Sequence, residues 1–364
     1  FGALPAILAH PIRELCLVEL DPATYLLSQP YLDPQTRAAL RDKRLRFVPD
    51  DARRFVGRAD GGEHYDLVFI DAPEPLTIAS NRFFTLEFYQ ATKKFLNPKG
   101  VLATRLPGSS SYLAPSQAGL LAAQVATLQA VFAQVLVLPG QEAFRLASES
   151  DSLSTDPQVL AQRYVDRSVQ DPHFSPRQFS QLVDPGRTED LKAQLAARGT
   201  GQVNRDALPA TVSQGLAVWS ERSDDALGKF LAGATALPHW TWFAALAGLL
   251  GLAAIWLRGS ARSMRPWRAE LLAVFALGAA GMGMELLLTF AYQSLAGSLY
   301  QELGLLVAAF MLGLVLAGWS VDRKLRRRPA SPRVLAGGLT LLATFAACLP
   351  LVEMSAFALG GVGG

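Results

Sequence analysis

Acidic side chains follow three successive apolar segments in the first half of the chain, where the strands of a buried sheet are predicted to end. These side chains belong to Glu19, Asp50, Asp51 and Asp71. Because ligands of open α/β sheets bind at the carboxyl ends of the strands, we expect the carboxylates to line one rim. The first can accept hydrogen bonds from both hydroxyls of a ribose, and the second from the exocyclic amine of adenine. The pattern therefore predicts a nucleoside pocket.

Each of these acids also has a structural interpretation. Aspartate and glutamate commonly cap turns and helices after strands, which needs no ligand. Placement at three successive strand ends is what favours a binding site over three separate caps.

The elements that must position these acids alternate between strand-like and helix-like segments. Such alternation is typical of an α/β domain with a parallel sheet wrapped by helices, here predicted over residues 1–150. The predicted strands are Glu14–Leu20, Leu45–Val48, Tyr65–Ile70 and Val101–Leu106, with a closing hairpin of Gln134–Leu138 and Ala143–Ala147. The predicted helices are Leu4–Ala9, Pro22–Gln29, Leu86–Leu96 and Ser116–Phe132.

The composition separates two halves of different character. Hydrophobic residues make up 50% of the chain and the formal net charge is only +3. The basic excess lies in 258–268 and 323–333, next to apolar runs, so membrane flanks fit better than a nucleic-acid-binding face, and no nucleic-acid partner is expected. Two cysteines and four scattered histidines provide neither a disulfide framework nor metal-ligand spacing, so no metal is expected.

Four long apolar segments occupy the second half of the chain. Each has roughly the 20 residues that cross the hydrocarbon core of a bilayer, which predicts a transmembrane domain of about four helices over residues 237–364. Residues 151–236 are predicted to be a helical extension or linker. The four segments are His239–Leu257, Ala269–Gln293, Leu303–Val321 and Val334–Val352.

The expected location is the cell inner membrane, with the lipid bilayer as a partner. Both basic loops should face the cytoplasm. If His239–Leu257 spans, the soluble domain emerges on the opposite face; a re-entrant first segment would keep it cytoplasmic, and the sequence leaves both open. Glu285 is an ionisable residue inside an apolar segment, which predicts either a membrane site or an interhelical hydrogen bond.

Several motifs of the first half resemble, in order and spacing, the spermidine synthase (polyamine aminopropyltransferase) family. The resemblance covers about residues 1–150, and the apolar second half is similar to a branch of that family fused to membrane spans. The motifs are Val18–Pro22, Asp50–Ala52, Tyr65–Asp71, Phe84–Tyr89 and Leu96–Leu102.

The resemblance implies a Rossmann-like, methyltransferase-type fold and a polyamine aminopropyltransferase. Decarboxylated S-adenosylmethionine would be a co-substrate and no cofactor would be bound permanently. Glu19 would bind its ribose, and Asp50 with Asp51 its adenine. Asp71 falls on the catalytic acid of the family, which removes a proton from the attacking amine. Gly2 falls at the end of the glycine-rich first loop of the family.

One stretch departs from the family pattern. The family has two aspartates separated by hydroxyl residues, whereas this chain has Asp71-Ala72-Pro73-Glu74-Pro75. Glu74 is the candidate partner of a distal ammonium on a small-molecule amine substrate such as putrescine, although its longer arm would shift that charge. The chain begins at Phe1 inside a predicted helix, so we expect an N-terminally truncated fragment whose first strand and most of whose glycine loop precede it.

Two other functions remain open at this level. A methyltransferase that uses S-adenosylmethionine would place the same acids around ribose and adenine. A transporter with a polyamine-sensing or nucleoside-sensing domain would bind without turnover. The acceptor amine is not specified by the sequence, which is also compatible with a homo-oligomer.

Overall fold

The chain divides into two units, which are described separately. The first is Phe1–Ala232 and the second is Gly233–Gly363. The structure is a computed structural model that describes residues 1–58, 62–108, 114–140, 142–169, 171–196, 201–223, 237–259, 265–296 and 300–325, with isolated residues 230, 233, 234, 337, 340 and 344.

Six strands form where the apolar segments of the first half predict them. Their apolar runs are of the length and type expected of sheet strands. They are β1 (Leu15–Glu19), β2 (Leu45–Pro49), β3 (Tyr65–Ile70), β4 (Leu96–Pro107), β5 (Gln134–Leu138) and β6 (Glu142–Ser148).

The strands are arranged in two sheets. β1 and β2 pair in parallel, and the other sheet has the order β3-β4-β6-β5. β3 and β4 are parallel, whereas β6 is antiparallel to both β4 and β5. The architecture is therefore α/β with mixed strand directions, so the prediction of a parallel sheet is correct only for β1–β2 and β3–β4. The short connection between β5 and β6 imposes the antiparallel pairing.

Strand β4 begins earlier than predicted. Residues Asn97–Gly100 form an irregularity within the strand, because Tyr65 pairs with Leu96 while Leu67 already pairs with Val101. At Gly100 a Cβ atom would lie 2.9 Å from the carbonyl oxygen of Asn97, which explains why glycine occupies this point.

Many helices of the first unit begin at side-chain caps or at prolines. Asp33 caps α3 and Asp156 caps α8 by accepting backbone N–H groups of the first turn. The helices are α1 (Leu4–Leu8), α2 (Pro22–Ser28), α3 (Pro34–Ala39), α4 (Ala52–Gly57), α5 (Ile78–Asn81), α6 (Leu86–Lys94), α7 (Pro115–Gln129), α8 (Pro157–Asp166), α9 (Phe179–Leu182), α10 (Pro185–Ala196) and α11 (Ala210–Ser223), with 3-10 turns at Gln29–Tyr31 and Pro176–Gln178.

The main core lies between the four-stranded sheet and helices α6 and α7. Tyr89, Leu102, Leu128 and Ala147 are fully buried there. Burying a leucine side chain contributes roughly 1.5–3 kcal/mol, so this cluster stabilises the sheet whose strand ends carry the polar residues. Helix α11 also packs against α7, which places part of the predicted extension on the core.

The second unit consists of helices rich in exposed apolar side chains. They are α12 (His239–Arg258), α13 (Arg265–Ala296) and α14 (Tyr300–Leu325). Trp240–Arg258 and Trp267–Phe290 are long and apolar enough to cross a membrane, judged by length and composition, and Gly304–Ser320 is a shorter apolar stretch. The fourth predicted span, Val334–Val352, lies outside the continuously described residues.

A completely buried arginine on β6 adds a charge to the core. Arg145 is completely buried, and its Nη2 atom donates to Oγ1 of Thr104 at 3.3 Å. Within the described part of the chain, its Nε and Nη1 atoms have no hydrogen-bond acceptor. Burial lowers the pKa of the guanidinium to about 10, so the side chain remains charged at neutral pH. An incompletely paired buried charge destabilises a fold.

We therefore expect Arg145→Met to stabilise the protein. An apolar side chain of similar volume removes the desolvation cost and should add roughly 1–4 kcal/mol to the free energy of unfolding. Thermal unfolding of the detergent-solubilised chain, followed by fluorescence, should show a rise in Tm of at least about 2 °C. The control is Arg46→Met on β2, where the guanidinium is partly exposed and pairs with Glu14 and Glu63. A lower Tm for Arg145→Met would mean that this guanidinium has a partner.

Candidate active site

The acid at the end of β1 is held in place by the turn that follows it. Oε1 of Glu19 accepts a hydrogen bond from the backbone N–H of Asp21 at 3.1 Å. Asp21 in turn caps α2 by accepting from the N–H of Ala23 at 2.8 Å. The half-buried Glu19 carboxylate is thus oriented while its second oxygen remains suited to accept from hydroxyl groups. Gly2 is exposed and precedes α1.

Asp50 follows β2 and is buried, with arginines around its carboxylate. Oδ1 accepts from the N–H of Asp51 at 2.8 Å and from Nε of Arg54 at 2.6 Å, and Oδ2 accepts from Nη1 of Arg58 at 2.9 Å. Both arginine side chains are more than half exposed. A carboxylate offers about four acceptor positions, so Asp50 retains capacity for a ligand amine on the Oδ2 side.

Asp51 has a different environment from its neighbour. It caps α4, because Oδ1 accepts from the backbone N–H groups of Arg53 at 3.1 Å and Arg54 at 3.0 Å. Oδ2 forms an ion pair with Arg82, and both side chains are at most 5% exposed. Burial lowers the pKa of Arg82 to about 10, while the charge of Asp206 opposes that shift. The contacts of Asp51 are those of a structural cap.

Asp71 follows β3 and, unlike Asp51, is exposed. Its side chain is 49% exposed, and Oδ1 accepts from Nε of Arg105 at 2.7 Å. Nη1 of the same arginine donates to Oε1 of Glu142 at 2.5 Å. These two carboxylates raise the pKa of Arg105, Glu142 contributing first and Asp71 second. Within the described residues, Oδ2 of Asp71 accepts no hydrogen bond, so it is open to a proton donor.

The parallel register explains why Arg105 meets Asp71. Ile70 pairs with Thr104, so the next residues of β3 and β4 are neighbours at the carboxyl end of the sheet. Sequence reasoning did not identify Arg105 or Glu142 as site residues. Arg105 is a charged residue within the apolar run Val101–Leu106, and that exception to the pattern could have indicated a site residue.

Glu74 lies in the loop that links β3 to α5. The side chain is half-buried, and its backbone carbonyl accepts from Oγ of Ser80 and from the N–H of Leu76, both at 2.7 Å. Pro75 is buried beside it. The loop is therefore fixed by hydrogen bonds to its backbone.

The predicted acids form two groups. Glu19 and Asp50 lie at the end of the β1–β2 sheet, where Glu19 is in register with Pro49. Asp71 and Glu74 lie at the end of β3. A cavity of about 450 Å³ lies elsewhere, among residues of the extension, and none of these acids lines it. Its lining residues are Tyr164, Val169, Asp171, Pro172, Phe174, Ser175 and Pro176.

Comparisons with known proteins match part of the chain to a protein family. Residues 2–116 match the family model described as the spermine/spermidine synthase domain. The polyamine aminopropyltransferase of Korarchaeum cryptofilum is 32% identical over 107 residues, which cover 29% of this chain and 32% of that protein. That of Prochlorococcus marinus is 35% identical over 101 residues, covering 28% and 35%. The chain thus spans about a third of the length of these curated relatives.

Among solved structures, spermidine synthase from Thermotoga maritima is similar to this chain. The similarity covers 54% of this chain and 65% of that protein, with 21% sequence identity and a TM-score of 0.42.

The different environments of Asp51 and Asp71 lead to a stability prediction. Asp51→Asn leaves Arg82 buried beside a neutral amide and should lower the free energy of unfolding by roughly 3 kcal/mol, at the low end for breaking a buried pair because the amide oxygen still accepts. Asp71→Asn removes an exposed pair and should change it by less than about 1 kcal/mol. Thermal unfolding of both variants measures the difference. Equal losses of stability would contradict the distinction between the two acids.

Proposed function

We propose that this chain, whose residues 2–116 match the spermine/spermidine synthase domain, transfers an aminopropyl group from decarboxylated S-adenosylmethionine to a polyamine such as putrescine. The donor is a co-substrate, and methylthioadenosine is the product that leaves. The observation that carries the proposal is the exposed carboxylate of Asp71, which follows β3, in a unit whose other sheet ends in the acids Glu19 and Asp50.

The donor is proposed to bind at the end of the β1–β2 sheet, within a Rossmann-like, methyltransferase-type arrangement. Glu19 accepts from the ribose hydroxyls through the oxygen that Asp21 does not use. Asp50 accepts from the adenine amine on its Oδ2 side. Asp51 acts indirectly, because its cap on α4 fixes the turn from which Asp50 extends.

The acceptor amine is proposed to meet Asp71. A polyamine is protonated at neutral pH, so a base must remove a proton before the nitrogen can attack. Arg105 holds Oδ1 of the carboxylate, and Oδ2 takes the proton. The nitrogen lone pair then forms a bond to the carbon next to the sulfonium. The carbon–sulfur bond breaks, its electron pair stays on sulfur, and a neutral thioether leaves.

The charge around Asp71 suits a polycation. Asp71 and Glu142 carry two negative charges against the single positive charge of Arg105, and Glu74 adds a third carboxylate on the adjoining loop. A net negative rim attracts the distal ammonium of a diamine. We assign that contact to Glu74.

A direct test is Asp71→Asn in the full-length chain. Loss of a general base should lower kcat by about 10²- to 10⁴-fold, while methylthioadenosine affinity stays within about threefold because the donor acids are unchanged. Calorimetry measures the binding, and chromatography of products measures turnover. The control is Asp66→Asn, an exposed acid of the same strand that contacts Asn97.

The same assay separates the alternatives. Unchanged aminopropyl transfer in Asp71→Asn would exclude Asp71 as the base. S-adenosylhomocysteine as product would indicate a methyltransferase, and binding without turnover would indicate a sensing domain.

The second unit is proposed to be a multi-pass anchor in the inner membrane. Large apolar side chains such as Trp242, Leu250, Phe275 and Leu287 are more than half exposed, which water would disfavour and lipid would not. Stretches of 19 and 24 helical residues extend roughly 28 and 36 Å, close to the thickness of the hydrocarbon core.

Membrane fractionation tests this anchor. The full chain should remain in the membrane pellet after alkaline carbonate and high salt, and detergent should release it, because apolar spans are held by lipid and not by charge. The control is a chain that ends at Ala232. Release of the full chain by carbonate alone would contradict the membrane-spanning arrangement.

A further inference from the structure

A short segment after the sheet, Asn204–Asp206, crosses back to the domain that carries the acids. Asn204 is fully buried. Its Nδ2 atom donates to Oδ1 of Asn81 at 2.8 Å and to the carbonyl of Phe84 at 2.9 Å. These bonds fix the end of the loop that follows Asp71 and contains Glu74.

The backbone of Asn204 forms hydrogen bonds to two helices, α7 and α6. Its N–H donates to Oγ1 of Thr127 on α7 at 2.9 Å, and its carbonyl accepts from the N–H of Leu86 at the start of α6 at 2.8 Å. Thr211 adds a bond from its hydroxyl to Asn81. The segment is therefore integrated into the core of the unit, where its position cannot change without moving α6.

Asp206 links the same segment to the helix that follows Asp50 and Asp51. Its side chain is 6% exposed and forms an ion pair with Arg53 of α4. Nη1 of Arg53 also donates to the carbonyl of Arg82 at 3.0 Å, and the N–H of Asp206 donates to Oε2 of Glu87 at 3.0 Å. The turn after β2 that contains Asp50 and Asp51 is called the donor turn, and the loop between β3 and α5 that contains Glu74 is called the acceptor loop. Because α4 begins directly after Asp50 and Asp51, the ion pair links the donor turn to the segment that fixes the acceptor loop.

Helix α11 then covers the acceptor loop itself. At Gly215 a Cβ atom would lie 2.8 Å from Cδ2 of Leu76 and 3.2 Å from the carbonyl oxygen of Pro75. Only glycine permits this approach without displacement of the loop next to Glu74.

We propose that Asn204 and Asp206 are positioning residues for the active site, and that Asp206 aligns the donor turn with the acceptor loop. They lie outside residues 2–116, the part of the chain that matches the family model. The turnover measurements for this inference rest on the proposed function. The methylthioadenosine-binding measurements do not require turnover, because they detect a shift of the donor turn directly.

The test uses the full-length chain at a temperature well below its Tm. Asp206→Asn leaves Arg53 without its charged partner, so the donor turn should shift. We expect methylthioadenosine affinity to fall about tenfold and kcat/KM about 10- to 100-fold, as is found for small misplacements of reacting groups. Asp206→Glu should recover most of both. The matched control is Arg205→Ala, whose exposed side chain lies 3.9 Å from Glu87 and should change either value less than twofold.

A second variant tests the acceptor side if Asp206→Asn does not fold. Gly215→Ala should push the Pro75–Leu76 loop by a few tenths of an ångström, which raises the KM for the acceptor severalfold and leaves methylthioadenosine affinity unchanged. The proposal fails if Asp206→Asn lowers only the Tm, or if Gly215→Ala leaves the acceptor KM unchanged. If the wild-type chain binds methylthioadenosine but forms none, the proposed function fails, and the binding of Asp206→Asn still decides the positioning role.

Discussion

Two arginines, the buried Arg82 and the partly buried Arg53, bring together parts of the first unit that are far apart in the chain. Each has an aspartate as its ion-pair partner, Asp206 and Asp51 respectively, and Arg53 also donates to the backbone of Arg82. Breaking either pair is costly because burial limits the water that can solvate the remaining charge. The position of the turn after β2 therefore depends on a residue that lies 153 positions further along the chain.

This arrangement separates acids that hold the structure from acids that face solvent. Asp51 uses both carboxylate oxygens within the protein, whereas Asp71 is half exposed and bonded through one oxygen to Arg105. Adjacent residues can thus differ in role, as Asp50 and Asp51 do. A carboxylate that follows a strand is a candidate for ligand binding only when its oxygens are not consumed by a helix cap and a buried cation.

The sequence predicts local features of this fold well. The strand at Tyr65–Ile70 and its terminal Asp71 follow from a short apolar run of buried-strand length. The sequence places the start of β4 at Val101 and not at Leu96, because Asn97–Gly100 consists of residues that are common in turns. The partners of Asp71 depend on the register of β3 with β4, and those of Asn81 on a contact across 123 residues. No local periodicity records such pairings, so Arg105 and Asn204 were not identified from sequence.

The extent of the functional unit also follows from these contacts. The family match ends at residue 116, yet the loop with Glu74 is fixed by Asn204 and covered by the helix that contains Gly215. The hydroxyl of the buried Thr127 on α7 accepts a hydrogen bond from the backbone N–H of Asn204, so the same hydrogen-bond network connects the core of the sheet with the later residues. A buried polar network is favourable only when its members are all paired, because a partly satisfied one costs more than an apolar core. Residues 201–223 therefore belong with the strand-end acids as one folding unit, and the chemistry proposed for Asp71 requires them in place.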